Sequence, residues 1–395
     1  MKKRGNRVLV IGYHGMGNVG AELRLKVIIE DIKKANPQAD ITIATFRYHP
    51  LNIIRGVKYL YLHNVFTSVF ETILRLHKFD YVICGEGIPF VDFCGPGFID
   101  YFIPILEFAH KLGKKTACYS FDLDSLNKRH RRRVIRTLKK VDLLIPRTKE
   151  TYGYLKKYGV KDNLHLGTDT SLLFKTDYNR TCNDKIGFCL KDFYCYPIKF
   201  RLFGKRRNYY HYPYYYTYKN KGKLRYKKFV EQIAGMIDGF MEENKRLRVS
   251  LIVMEDQMDY KTSKDVYNLI KKRKRVELIS RRNYSIKSII DHISDLDCLV
   301  AARYHAVILG VRHRVPTFVL STDERFDYFI KELGLKRFLI DVYKEKINTK
   351  ELAKFIDNHK CNKEIFSEKI SHKLPILKRR AEHNYKYLIK FFNSP

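Results

Sequence analysis

Short apolar runs alternate with segments of helical periodicity along most of this chain, and that alternation leaves few folds open. Residues 7–12 (RVLVIG), 41–46, 79–84 (FDYVIC), 115–119 and 141–146 are such runs. The rhythm resumes at 185–190 (KIGFCL), 249–254, 276–279, 298–301 and 317–320. A continuous apolar run reads as a strand buried on both faces, and a helix between two of them supplies the crossover that a parallel pair needs. Two successive series predict two doubly wound, Rossmann-like α/β domains with parallel sheets, facing a cleft. In such sheets ligands bind at the carboxyl ends of the strands.

At 395 residues the chain is too long for one small core, and its 45% of apolar residues is enough to fill two. We place the first domain at residues 1–175, the second at 176–348 and a helical tail at 349–395, with the polar stretch 175–184 as linker. Pro375 is expected to break the tail helix. The net charge of +35 suits an anionic substrate, an anionic membrane surface or nucleic acid, and part of it reflects a codon bias towards Lys, Tyr and Asn. Eight cysteines, including Cys361, form no CxxC pair; they read as reduced core thiols of a cytoplasmic protein. The N-terminus shows no signal-peptide cleavage pattern, and no apolar run is long enough to span a bilayer. No metal-spaced histidine cluster, Walker motif or Ser/His/Asp order occurs, so neither metal nor cofactor is expected.

Two stretches carry unusual charge. Residues 129–133 (RHRRR) fall in a helix predicted over 126–140, where a solvated face is the ordinary reading and an anionic-lipid or nucleic-acid contact the alternative. Residues 199–228 hold eleven Lys/Arg, eight Tyr and no acid. They read as a surface insertion of the second domain, with interfacial membrane contact or acceptor binding as functional readings.

The richest segment is residues 296–326, LDCLVAARYHAVILGVRHRVPTFVLSTDERF. A strand ends at Ala301, and Arg303-Tyr304-His305 opens a helix. Val315-Pro316 then starts a second strand, with Arg325 just beyond it. This places a fixed cation and a titratable proton donor at the ligand-binding edge. Earlier, residues 13–22 (YHGMGNVGAE) follow the first strand. Their glycines formally satisfy GxGxxG, but the second strand ends in Arg47 instead of the acid that holds a ribose, which lowers a dinucleotide reading. Gly85-Glu86-Gly87 follows another strand. Arg147 and Glu150 begin a helix at the end of residues 141–146, and the next loop contains Gly167-Thr168-Asp169.

In this order these motifs resemble the polysaccharide pyruvyl transferase family. The matching residues are Gly17, Asn18, Gly20 and Glu22; Arg147, Glu150, Lys157, Gly159 and Val160; and Arg303, His305, Val315, Pro316 and Arg325. The chain departs from the family at Ala21, where an aspartate is usual, at Glu86 inside a Gly-Gly turn, and at Lys191-Asp192, where the family carries an arginine-bearing loop. The resemblance implies a GT-B-like fold and transfer of a pyruvyl group from phosphoenolpyruvate to a sugar of a cell-surface polysaccharide or its lipid-linked precursor. It implies His305 and Arg303 as catalytic residues. It implies Arg147, Arg325, Gly17, Asn18 and Gly20 as donor-binding, and Glu22, Gly85, Glu86, Gly87 and His14 as acceptor or cleft residues. The expected partners are phosphoenolpyruvate and a sugar acceptor, lipid-linked or polymeric. An anionic membrane surface is a further expected partner, with a place at its inner face, and nucleic acid is not expected. Two alternatives stay open. One is a GT-B-type nucleotide-sugar glycosyltransferase, with Glu324 on a ribose; the other is a non-catalytic protein that binds anionic glycan or nucleic acid on the same scaffold.

Overall fold

The computed structural model describes residues 6–46, 54–63, 67–92, 98–174, 182–200, 208–211, 214–218, 221–344, 347, 349–360 and 363–394. Arg47, Cys361, most of the 175–184 linker and much of the Tyr-rich insertion lie outside them. The chain divides into two compact units, Met1–Phe174 with Ile376–Pro395, and Lys175–Pro375.

In the first unit, strands β1 (Arg7–Ile11), β2 (Asp40–Phe46), β3 (Lys58–Leu62), β4 (Tyr81–Cys84), β5 (Lys115–Phe121) and β6 (Leu143–Pro146) form one parallel sheet. Its order is β3-β2-β1-β4-β5-β6, and Val10 stands opposite both Ile43 and Ile83. The connection reverses direction between β1 and β4, which opens a crevice at their carboxyl ends. Helices α1 (Val19–Ala35), α2 (Ser68–Ile73), α3 (Phe98–Lys111), α4 (Lys128–Leu138) and α5 (Lys149–Lys157) cover the two faces. Leu25, Ile28 and Ile32 of α1 pack on one face. Residues of α2 to α5, among them Ile73, Phe102, Leu138 and Leu155, pack on the other.

The second unit repeats the plan. Strands β7 (Lys185–Cys189), β11 (Arg248–Ile252), β12 (Val276–Ile279), β13 (Cys298–Ala301), β14 (Thr317–Ser321) and β15 (Leu339–Asp341) run in the order β12-β11-β7-β13-β14-β15. Counted from its own first strand, this is the same 3-2-1-4-5-6 order, with its switch point between β7 and β13. Between β7 and β11 the chain inserts an antiparallel sheet of β8 (Cys195–Phe200), β9 (Asn208–His211) and β10 (Tyr214–Tyr218), ordered β8-β10-β9. The sequence offered no strand there, because consecutive tyrosines mask any alternation. Helices α6 (Gly222–Glu243), α7 (Asp256–Leu269), α8 (Ile286–Ser294), α9 (Tyr304–Arg312) and α10 (Glu324–Glu332) complete the alternation, and α11 (Thr349–His359) and α12 (Lys363–Ile370) follow.

One expectation fails. Pro375 does not break the tail: α13 runs from Lys373 to Asn393, with Pro375 as its third residue. The first four N–H groups of a helix have no intrahelical acceptor, so a proline there removes nothing. The tail then lays Leu388, Phe391 and Phe392 against the core face of the first unit, beside Val8, Val10 and Tyr81. Cys84, Cys118, Cys189, Cys195 and Cys298 are buried as free thiols. No helix among the described residues is long and apolar enough to cross a membrane.

Leu388 is fully buried in that contact. Leu388→Ala is expected to destabilise the first unit by about 2–5 kcal/mol, read from urea unfolding. A loss within roughly 0.5 kcal/mol, the range of surface changes, would mean that the tail is not part of this core.

Candidate functional site

In the second unit a polar cluster forms at the carboxyl edge of the sheet, on both sides of the switch point. Arg303 leaves the end of β13 and is the N-cap residue of α9. Its Nε donates to Asp259 Oδ2 at 2.8 Å, and its Nη1 lies 2.9 Å from Glu255 Oε2. Both carboxylates come from the turn between β11 and α7 and its first residues. Burial alone would pull Arg303 down, but Asp259 and Glu255 outweigh it and hold the guanidinium well above its usual range. Arg325, after β14, forks onto Asp323 with bonds of 2.7 and 2.8 Å. Burial opposes that carboxylate's charge, yet Arg325 keeps Asp323 below the ordinary range. The Arg325 guanidinium also lies 5.4 Å from the centre of the Tyr304 ring. His305 is half-buried, its ring edge-on to Tyr304 at 5.7 Å. Glu324, at the start of α10, accepts from Tyr328 Oη at 2.5 Å.

Lys191 completes the cluster from the other side of the switch point, just after β7. Its Nζ lies 3.4 Å from Thr322 Oγ1, and it forms no ion pair among the described residues. Burial, followed by Arg303, lowers its pKa to about 8 against the pull of Asp323 and Asp259, and Arg325 adds to the lowering. The insertion closes over this point. A cavity of about 10 Å³ between Lys191, Asp259, Arg303, Cys195 of β8 and Tyr216 of β10 is room for roughly one water. Tyr218 bonds to Asp192, which tethers the small sheet to the loop that carries Lys191. Sequence reading marked Lys191-Asp192 only as a departure from the family's pattern and gave Lys191 no role. The signal was available, since it is the first polar residue after the first strand of the domain.

The first unit treats its switch point differently. Glu86, the residue that interrupts the glycine turn, accepts Tyr13 N–H at 2.8 Å and Gly87 N–H at 2.8 Å. One carboxylate thus ties the loops after β1 and β4 together. Gly87 has no room for a side chain: a Cβ there would lie 2.7 Å from Arg24 Nη1 and 3.0 Å from Arg147 Nη1. A Cβ on Gly85 would meet Ile28 Cδ1 at 3.0 Å. Gly17 adopts φ of 72°, which brings the chain into Asn18, and the Asn18 side chain caps α1 through Ala21 N–H at 3.1 Å. Gly20 and Glu22 are buried in the first turn of that helix. Ala21, where the family carries aspartate, supplies only the backbone donor for this cap.

Arg147 is 2% exposed. Its Nε donates to Asp122 Oδ2 and its Nη1 to Asp169 Oδ2, each at 2.6 Å. Asp122 also accepts from Thr148 and Thr151 hydroxyls. Arg24 reaches Ser120 O at 2.5 Å and stands 3.8 Å from Asp169. The sequence reading found Arg147 and Asp169 but missed Arg24 and Asp122, which no motif marks. His14 is 1% exposed, and neither ring nitrogen has a hydrogen-bond partner among the described residues. Burial, then the nearby Arg24 charge, lowers its pKa to about 3, so the ring is neutral. Among the described residues no group of three His, Cys, Asp or Glu is placed to hold a metal ion.

Comparison with known proteins bears on both units. The sequence model of one family, described as Polysaccharide pyruvyl transferase, matches residues 18–324. No curated protein matches the chain. Among solved structures it is similar to a putative UDP-N-acetylglucosamine 2-epimerase from Listeria monocytogenes, with a TM-score of 0.65 and 12% identity over 99% of this chain and 97% of that one. It is similar to S. aureus MnaA in a co-structure with UDP, with a TM-score of 0.63 and 11% identity over 98% and 97%. It also resembles S. aureus TarM in complex with Fondaparinux, alpha-GlcNAc-glycerol and UDP, with a TM-score of 0.58 and 9% identity over 99% and 100%. Likeness at such identities fixes the fold, which is GT-B-like.

His14 carries a pH signature. Its folded pKa lies below its ordinary 6.5, so the unfolded chain takes the proton first and acid favours unfolding. Between pH 6.5 and about 3, wild type should lose about 1.4 kcal/mol per pH unit relative to His14→Leu. Parallel urea melts of the two proteins across that window check this, and equal slopes would mean that His14 protonates freely in the folded state.

Proposed function

Because this chain belongs to the polysaccharide pyruvyl transferase family, we propose that it transfers a pyruvyl group from phosphoenolpyruvate to two hydroxyls of a sugar, forming a ketal. The sugar belongs to a cell-surface polysaccharide or its lipid-linked precursor. The observation that carries the reading is the arrangement of Lys191, Arg303 and Arg325 around the second unit's switch point, with His305 one turn-start away.

The chemistry sets the demands. One sugar hydroxyl adds to C2 of the donor while a proton arrives at C3, which becomes the methyl group. The second hydroxyl attacks C2 and inorganic phosphate leaves, so one hydroxyl proton is balanced at C3 and the other on phosphate. The donor brings a carboxylate and a phosphate and passes through an oxocarbenium-like state. It needs fixed cations and a proton donor active near neutral pH. Arginine cannot give up its proton there, whereas histidine can.

The two arginines enter the reaction already neutralised by Asp259, Glu255 and Asp323, so they position more than they attract. Lys191 is the cation whose charge is not cancelled by a contacting carboxylate, and in this reading it holds the donor's anionic group. His305 delivers the proton to C3. Arg147 belongs to the other unit and is already held by two aspartates. Its part is to order the loops that carry Gly87 and Asp169 at the sheet edge.

Three measurements test this. Phosphoenolpyruvate should raise the melting temperature more than any UDP-sugar does, and the reverse result favours a nucleotide-sugar glycosyltransferase. His305→Ala should abolish phosphate release with a sugar acceptor while leaving the melt unchanged; retained turnover removes His305 from the mechanism. Lys191 is charged below about pH 8 and neutral above, so kcat/KM for phosphoenolpyruvate should fall about tenfold per pH unit above that point. In Lys191→Arg the fall should vanish, because guanidinium keeps its proton.

A further inference from the structure

Helix α4 of the first unit holds a basic run whose members divide into two kinds. His130 bonds to Asp92, Arg133 lies 3.5 Å from both Asp100 and Glu107, and the Arg131 guanidinium lies 5.9 Å from the Tyr158 ring centre. Those three are tied down. Lys128, Arg129, Arg132 and Arg136 are exposed and have no ion pair among the described residues. Arg129, Arg132 and Arg136 follow each other at three and four residues, so they share one helix face. A groove of about 820 Å³ runs along this face. Six residues of α4 line it, and its single carboxylate, Asp100, is already paired with Arg133.

Solvated cations alone would be the ordinary outcome of a basic chain. A second feature of the same layer argues otherwise. Helices α2 to α5 cover one face of the sheet, so their outward sides form one surface. On that surface α2 exposes Phe70 (71%), and Leu74 just after it is equally bare (71%). Helix α3 touches α2 and α4; it exposes Phe108 (43%), and Leu112 follows at its end (50%). These are two pairs spaced by four residues on contacting helices, and Lys111 lies 5.3 Å from the Phe108 ring centre. A dissolved polyanion gives no reward for bare phenylalanine and leucine. A lipid interface rewards both features, with headgroup phosphates for the cations and the acyl boundary for the rings.

We propose that the α2–α4 surface of the first unit seats this protein on an anionic bilayer as a peripheral protein. The inference uses the first unit alone and does not depend on the reaction assigned to the second. It moves membrane contact from the Tyr-rich insertion, whose described part packs over Lys191, to a helix layer with exposed cations.

The test is flotation of the full-length protein with vesicles of phosphatidylcholine, or of the same lipid with roughly one third phosphatidylglycerol. Wild type should bind only the anionic vesicles, and more weakly as salt rises. The triple change R129Q/R132Q/R136Q should lower partitioning on the order of a hundredfold, at about fivefold per charge. The same number of charges removed from the exposed Lys245, Arg246 and Arg248 of the second unit should have little effect. The pair F70S/L74S should weaken binding several-fold, with α4 intact. If the triple variant fails to fold, R132Q alone should show the single-charge drop. Equal binding to neutral vesicles, or an equal loss from the second-unit control, overturns the proposal. So does capture of a soluble polyanion such as heparin without vesicle binding.

Discussion

Guanidinium groups drawn into a sheet edge must be neutralised where they stand, and this requirement shapes both units. Removing one member of a buried pair strands the other, at roughly 3–5 kcal/mol. Asp122 and Asp169 therefore belong to the architecture around Arg147 as firmly as the strands do. The same holds for Asp259 and Glu255 around Arg303. Asp122 and Asp169 come from different loops, so Arg147 ties two of them together, whereas Arg303 ties the end of β13 to the single segment after β11 that carries both Glu255 and Asp259. The sheet edge is thus rigid before any ligand arrives, which is how a site keeps its geometry through a reaction.

Such neutralisation also decides which positive charges can act on an incoming anion. An arginine with bidentate carboxylate contacts, like Arg325 on Asp323, exerts little net attraction at a distance. It still offers direction, since its remaining N–H groups are held in place. Attraction falls to a cation that lacks a contacting carboxylate, and at the second unit's switch point that is Lys191. Its lowered pKa records the same fact: burial first, and then the positive neighbours, disfavour its charge, and an anion would restore it.

The fold was legible because continuous apolar runs and helical periods are local signals, and two series of them permit one kind of domain twice. The motif residues at strand ends were legible for the same reason, since Arg147, Arg303 and Glu86 each sit within two residues of the end of an apolar run. Their partners were not. Asp122, Asp259 and Arg24 lie in unremarkable stretches and acquire meaning only when the sheet brings distant loops together. The Tyr-rich insertion hid its strands because its eight tyrosines leave no alternation to read. Pro375 misled for a different reason: a helix's tolerance of proline depends on where its first turn falls, and the residue just before Lys373 is His372, which does not mark a helix start.

The two units share a strand order and use it in opposite ways. In the first, Glu86 spans the switch point and takes the N–H groups of Tyr13 and Gly87. Those donors are what a phosphate would use in a sheet of this topology. The carboxylate is an internal anion, and it explains why a residue foreign to a glycine turn is tolerated there. In the second, no acid among the described residues spans the gap; Lys191 and Arg303 stand on its two sides with a small cavity between them. The two switch points therefore differ in charge: the first is spanned by a carboxylate, and the second is flanked by two cations.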